Sequence, residues 1–523
     1  MSVANSKYLL IILSAFVLFA GLPVIYTIGT LLLSEGDLSK TFASFDARMF
    51  PLLAKSGGVA FFVALFSTFF GTVFGFLLYK TKVPFKGFFK TALLIPLFLS
   101  PYILAVAWKD LIFALAGNAQ IISSYAGVVL VLTFVYAPFS MLVVGGALAN
   151  IDAQLEESGM MIAKFGSVAL KIILPMIKPA LASSFVLVFI FGISEFSVPA
   201  FLSVKVFTTE IFTQFSAFYN HSLAVLQSTL LIGISAILLL AEGKYISDAP
   251  FFSIGGKGAG NKIYDVKGIK FYGTFVLFAW FFLSVVFPFS LLIVQSFSDG
   301  SEMIFRAFNL LLPTFGNSIA LAFAGAVAIV VVGFSAAYFS SKSENGKLSQ
   351  TFDWITLILF AIPSIILGVA LIKFYNRPEL NFIYSSWGII VVAYAGKYSF
   401  ISAKIIGNSI KQIPKSFDEA ALLSGVSETS RIIKILLPLI LPALFAAFVI
   451  GFIFSFGELG ATIMLYPPGT EIMPIKVFTI MANAPQSLTS SMTLIVFSVT
   501  LALISIFYLT AKRLFKNFGK EID

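Results

Sequence analysis

The chain has 523 residues, 59% of them hydrophobic and only 11% charged, with 61 Phe and a mean hydropathy of +1.01. That composition excludes a water-soluble fold, and the absence of cysteine excludes disulfides, thiolate metal sites and cysteine nucleophiles. The net charge of +10 would suit nucleic acid, but the placement of the basic residues assigns it to membrane topology instead.

A bilayer core about 30 Å thick takes roughly 20 apolar residues per helix. Runs of that kind predict helices over 8–33, 57–79, 91–113, 125–148, 180–203 and 223–241, then 273–297, 317–340, 355–375, 387–403, 442–465 and 490–511. The first run has no small-residue cleavage site after it and reads as a retained helix rather than a signal peptide. The chain is therefore expected to be an all-α polytopic membrane protein with about twelve transmembrane helices and both termini on one side. Short loops rich in Lys and Arg face the cytoplasm. Lys80, Lys82, Lys86 and Lys90, five lysines of 242–272, and Lys512, Arg513, Lys516 and Lys520 all fall on one side. The alternate loops are poor in base: 466–489 holds only Lys476. Topology thus accounts for the charge, with both termini cytoplasmic and no nucleic-acid partner.

The first six helices and the last six repeat each other. Glu157 matches Glu419, Pro175 matches Pro438 and Pro101 matches Pro363, at offsets of 262, 263 and 262. An even number of helices per half keeps both halves in one orientation, which implies a pseudo-two-fold axis along the membrane normal. The predicted organisation is one domain over 1–241, a cytoplasmic linker over 242–272 and a second domain over 273–523. The linker contains GGKGAGNK, but Asn261 follows Gly260 where a phosphate loop needs Lys, and no strand precedes it, so it reads as a flexible basic linker. LLSGVS at 422–427 lacks a surrounding nucleotide-binding domain, and no ATP hydrolysis is expected of this chain.

Two polar, helix-forming stretches interrupt the apolar pattern, EESGMMIAKFGSVALKIILP at 156–175 and DEAALLSGVSETSRIIKILLP at 418–438, within loops at about 150–179 and 411–441. Each has the layout of a short helix, a break and a second helix entering the membrane. Ala favours helix and lets another surface approach closely, and Gly supplies a cap with positive φ. Glu-Ala-Ala, three residues, Gly, nine residues and Ile-x-Leu-Pro resembles the cytoplasmic coupling loop of ABC importer permeases of type I architecture. Carried over residue by residue, the resemblance makes Glu419, Ala420, Ala421 and Gly425 the ATPase-coupling positions of the second loop. In the first, Glu157 is kept, Ser158 and Gly159 replace the alanines, Ala163 takes the Gly place with Gly166 as an alternative break, and the spacing is one residue shorter. This loop is expected to couple less typically. The resemblance implies two copies of a separate ATPase that uses ATP, one solute-binding protein at the outer face, surrounding lipid, and no cofactor or catalytic residue in this chain.

Glu195 and Glu458 match each other and fall deep within apolar runs, where an ionisable group is costly and reads as functional. They either line a translocation path or bond helix ends to hold the fifth and eleventh helices, and no metal ligand set follows from them. Lys109, Asp110, Lys373 and Lys397 read as nearer helix ends, snorkelling or pairing. The stretches ISEFSVPAFL (193–202) and GELGATIML (457–465) with their sequels resemble the ferric-iron permease group, in which two permease domains are fused and which is related to thiamine, polyamine and sulfate permeases. Carboxylates suit iron(III), which prefers oxygen ligands, and equally suit thiamine or a polyamine. A proton-coupled secondary transporter using Glu195 and Glu458 is the alternative from another class, one that has no need of duplicated coupling loops.

Overall fold

The computed structural model describes residues 7–33, 49–246, 263–265, 267–342, 346–414, 416, 421 and 423–515. Among these the fold is all-α, and the only extended pairing is an isolated bridge between Thr81 and Tyr264. Eight helices are long and apolar enough to span a bilayer unbroken: α1 (Tyr8–Thr30), α2 (Met49–Lys80), α4 (Tyr125–Ala149), α6 (His221–Leu239), α7 (Lys270–Ser296), α8 (Glu302–Ser341), α10 (Gly388–Lys411) and α12 (Gln486–Leu514). Four more spans are bent pairs. These are α3 (Lys86–Phe98 with Pro101–Ala116, 94°), α5 (Phe165–Met176 with Lys178–Ser194, 62°), α9 (Thr351–Ala361 with Ser364–Tyr375, 106°) and α11 (Glu428–Leu439 with Leu441–Gly457, 74°). Counting each bent pair as one span gives the predicted twelve, and the bends fall on the same members of each half.

The bends have local causes. Pro101, Pro179, Pro363 and Pro442 stand at or beside the breaks, and proline removes an N–H while driving the residue before it out of helix. Ser100, just before Pro101, is extended at φ −61°, ψ 131°. The predicted continuous helices 180–203 and 442–465 require correction. They stop at Ser194 and Gly457, and short helices Ser197–Phe201 and Gly460–Leu465 follow. Non-helical backbone at membrane depth is tolerated where it lines a cavity within the protein, and the breaks do so.

Packing repeats between halves. α2 lies along α4, and α8 along α10. A methyl group on Gly71 would meet the Ser140 Cβ at 2.3 Å, and one on Gly333 would meet the Ser402 Oγ at 2.3 Å. The two contacts are copies at the repeat offset, and small residues let membrane helices approach this closely. The first helix of each half packs on the other half: Leu22–Leu33 on Ser364–Tyr375, and Phe287–Ser296 on Pro101–Ala116. The Tyr375 hydroxyl donates to the Phe19 carbonyl at 3.0 Å. This interlocking was not foreseen, because hydropathy finds spans without saying what each one touches.

Candidate functional site

The break after each of α5 and α11 is organised by its glutamate. Glu195 Oε1 accepts from the Ser197 N–H at 2.8 Å and the Ser197 hydroxyl, while its Oε2 accepts from the Tyr136 hydroxyl at 3.0 Å. Glu458 Oε1 accepts from the Ala461 N–H at 3.0 Å, and its Oε2 accepts from the Tyr398 hydroxyl. One oxygen of each carboxylate therefore satisfies an unpaired donor at a short helix N-terminus, and the other receives a phenol. Both glutamates sit at helix breaks rather than in the middle of a span, which corrects the placement expected from hydropathy. Tyr136 and Tyr398 are again 262 apart, so the repeat itself carried a signal that the sequence reading passed over.

The two glutamate–tyrosine pairs line one cavity of about 150 Å³ between the halves. Its wall includes the α3 break at Leu99–Pro101 and the α9 break at Phe360 and Ser364. Contacts cross between the halves here. The Ser100 hydroxyl donates to the Gly457 carbonyl at 2.7 Å, and the Ser194 hydroxyl to the Ala361 carbonyl at 3.5 Å. Lys397 also lines the cavity. It lies buried mid-way along α10, and its Nζ donates to the carbonyls of Phe360 at 2.8 Å and Ile362 at 2.6 Å, which the α9 break leaves without helical partners. The expectation of a helix-end lysine is corrected: its long stem reaches sideways to a neighbouring break. The first half has Val135 at the matching position, so the cavity has paired carboxylates and phenols but a single ammonium. Asp110 pairs with Gln486 at 2.7 Å and with Ser490, tying α3 to α12. Among the described residues no three His, Asp or Glu side chains gather as a metal site.

The first polar stretch forms the helix Ala153–Ile162, capped by Asp152 through the Gln154 N–H at 2.9 Å. Glu157 and Ser158 are exposed. Gly159 is held close to the following helix, since a methyl there would meet the end of Ile172 at 2.5 Å. The helix ends at Ala163, which is extended (φ −137°, ψ 156°). Gly166 lies within the next short helix, Phe165–Val168, so the alternative break at Gly166 is corrected. In the second stretch, Glu419 and Ala420 lie outside the described residues. Ala421 is buried, and Gly425 has φ +71° with open space around it, as a glycine cap requires. Each loop also presents an apolar side chain to solvent: Met161 is 89% exposed, and Leu423, at the matching position, 91%. The motif drew attention to the Glu, Ala and Gly positions and missed these two.

Residues 329–516 match the family of binding-protein-dependent transport system inner membrane components. The chain is 25% identical over 463 residues to the Fe(3+)-transport system permease protein FbpB 2 of Haemophilus influenzae, covering 87% of this chain and 89% of that one. It is 25% identical over 454 residues to the ferric transport system permease protein FbpB of Actinobacillus pleuropneumoniae, covering 79% of this chain and 64% of that one.

Proposed function

We propose that this chain, whose residues 329–516 match the family of binding-protein-dependent transport system inner membrane components, is the fused permease subunit of an ABC importer for iron(III). Two copies of a separate ATPase dock at the loops containing Glu157 and Glu419, and one solute-binding protein docks at the opposite face. Both termini lie on the ATPase side. The observation that carries this reading is the cavity between the halves, walled by two symmetric glutamate–tyrosine pairs. Carboxylate and phenol oxygens suit a hard cation, and relatives aligned over most of the chain are named for ferric transport.

In this mechanism the chain binds and conducts, and the ATP is spent by the partner. Closure of the ATPase pair displaces the two coupling loops, and the interlocked halves rock between two states that expose the cavity to opposite sides. Glu195 and Glu458 offer charge to the cation while Tyr136 and Tyr398 keep each carboxylate oriented. Met161 and Leu423 would be covered on docking, at about 1.5–3 kcal/mol for each fully buried side chain.

Co-purification from the native membrane tests the assembly: an ATPase subunit at two copies per chain is the expected result. Glu419→Arg should then abolish ATP-driven uptake of iron(III) at unchanged membrane abundance. Undiminished uptake with normal ATPase recruitment would reduce the second loop to a connector.

A further inference from the structure

We propose that Tyr264, in the segment joining the two halves, is a positioning residue for the first ATPase-docking helix. It clasps Ala153–Ile162 to the end of α2 and to the start of α7, so that movement of that helix reaches the second half directly. The proposal rests on the permease reading above.

The contacts converge on Glu156, one residue before the predicted coupling glutamate. Glu156 forms an ion pair with Lys80, the last residue of α2, and both side chains are fully buried. Its second oxygen accepts from the Tyr264 hydroxyl at 2.8 Å. Backbone pairing fixes Tyr264 in place: its N–H donates to the Lys80 carbonyl at 2.7 Å, and its carbonyl accepts from the Lys82 N–H at 3.1 Å. The ring packs on Phe165, just beyond the docking helix, at 4.7 Å. On the next residue, Asp265 pairs with Lys270 in α7 at 2.9 Å and with Lys82 at 3.7 Å. One short segment thus touches α2, the docking helix and α7. The sequence reading as a flexible linker is corrected for 263–265, because Gly and Lys content says nothing of a single tyrosine that finds a buried acceptor.

A buried charge pair tolerates little misplacement, since removing one hydrogen-bonding partner leaves desolvated charge behind. Burial, and then the adjacent Glu156 carboxylate, hold the Tyr264 phenol above its ordinary range, so it stays a donor. The second loop has a different tie. There Glu428 accepts from Tyr338 of α8, in its own half, at 2.9 Å. The clasp therefore supplies a link between halves at the loop whose coupling sequence is the less typical.

The test uses the full chain with its ATPase and binding protein in vesicles. Iron(III) moved per ATP hydrolysed is measured, with membrane abundance and ATPase recruitment as controls. Tyr264→Phe keeps the ring and removes the hydroxyl. It should lower iron moved per ATP by roughly tenfold, the scale of one hydrogen bond to a charged group, while recruitment stays at the parental level. Parental coupling in both Tyr264→Phe and Tyr264→Ala would overturn the proposal. A parent chain with no ATP-driven uptake would instead overturn the permease reading, and the clasp with it.

Discussion

At Glu195 and Glu458 a single side chain holds a short helix with one oxygen and a tyrosine with the other, so charge and shape have to be separated by substitution. Glu→Gln keeps the length and one carbonyl oxygen while removing the charge. The double Gln variant should lower iron(III) uptake by roughly tenfold or more at equal membrane abundance, since a carboxylate about 4 Å from a cation contributes several kcal/mol at an effective dielectric near 20. Affinity at the separate binding protein should not change. Parental uptake would leave the two acids as helix caps and remove the residue-level reason for a cationic substrate. Glu195→Ala, by contrast, removes the cap as well, and should lower thermal stability by about 0.5–2 kcal/mol. The two glutamates were legible in the sequence because an acid inside an apolar run is conspicuous. Lys397 was read as a helix-end residue, since its role depends on carbonyls freed by a bend thirty-odd residues earlier and hydropathy does not register bends.

Helix pairs α2–α4 and α8–α10 depend on close approach at Gly71 and Gly333, and here the repeat makes a matched experiment. Gly71→Ala would put a methyl group 2.3 Å from the Ser140 Cβ and 2.7 Å from the Met141 backbone nitrogen; Gly333→Ala would put one 2.9 Å from the Ala403 nitrogen. Backbone cannot rotate away as a side-chain tip can. Each substitution should cost about 1–3 kcal/mol, the usual range for overpacking, read as a lower midpoint of thermal unfolding in detergent. Gly57 in the same α2 helix has nothing within 4 Å of an added methyl, so Gly57→Ala should be neutral or slightly stabilising, as alanine is the better helix former. Equal effects at Gly71 and Gly57 would contradict the packing described. Element existence was readable throughout, because twenty apolar residues leave few alternatives to a spanning helix. The four breaks were not, although each has a proline at or beside it: proline is common in membrane helices, and its place in the sequence does not say whether it bends one by 62° or 106°.

Across the whole molecule, the halves share a plan and differ at the loops. The second stretch keeps Glu-Ala-Ala and a glycine at φ +71°. The first has Ser158 and Gly159, and leaves its helix through an extended Ala163. It also carries a contact the second lacks among the described residues, the bond from Tyr264 to Glu156 across the segment that joins the halves. Two routes then anchor the helix Ala153–Ile162, its own following helix and the start of α7. The second loop has no such cross-link among the described residues, and on the proposed permease reading its coupling should depend more heavily on its own glutamate. Removing Glu157 should therefore disturb coupling less than removing Glu419. Glu157→Ala and Glu419→Ala, reconstituted separately with the same ATPase and binding protein, are expected to retain unequal shares of binding-protein-stimulated ATP hydrolysis, the Glu157 variant keeping the larger. Equal or reversed losses at matched abundance would mean that the loops act as equivalents and that the sequence differences between them are neutral. Combining Glu157→Ala with Tyr264→Phe extends the test. If the clasp compensates for the departures in the first loop, the double variant should lose more than the two single losses combined, the non-additivity expected of sites that share one element.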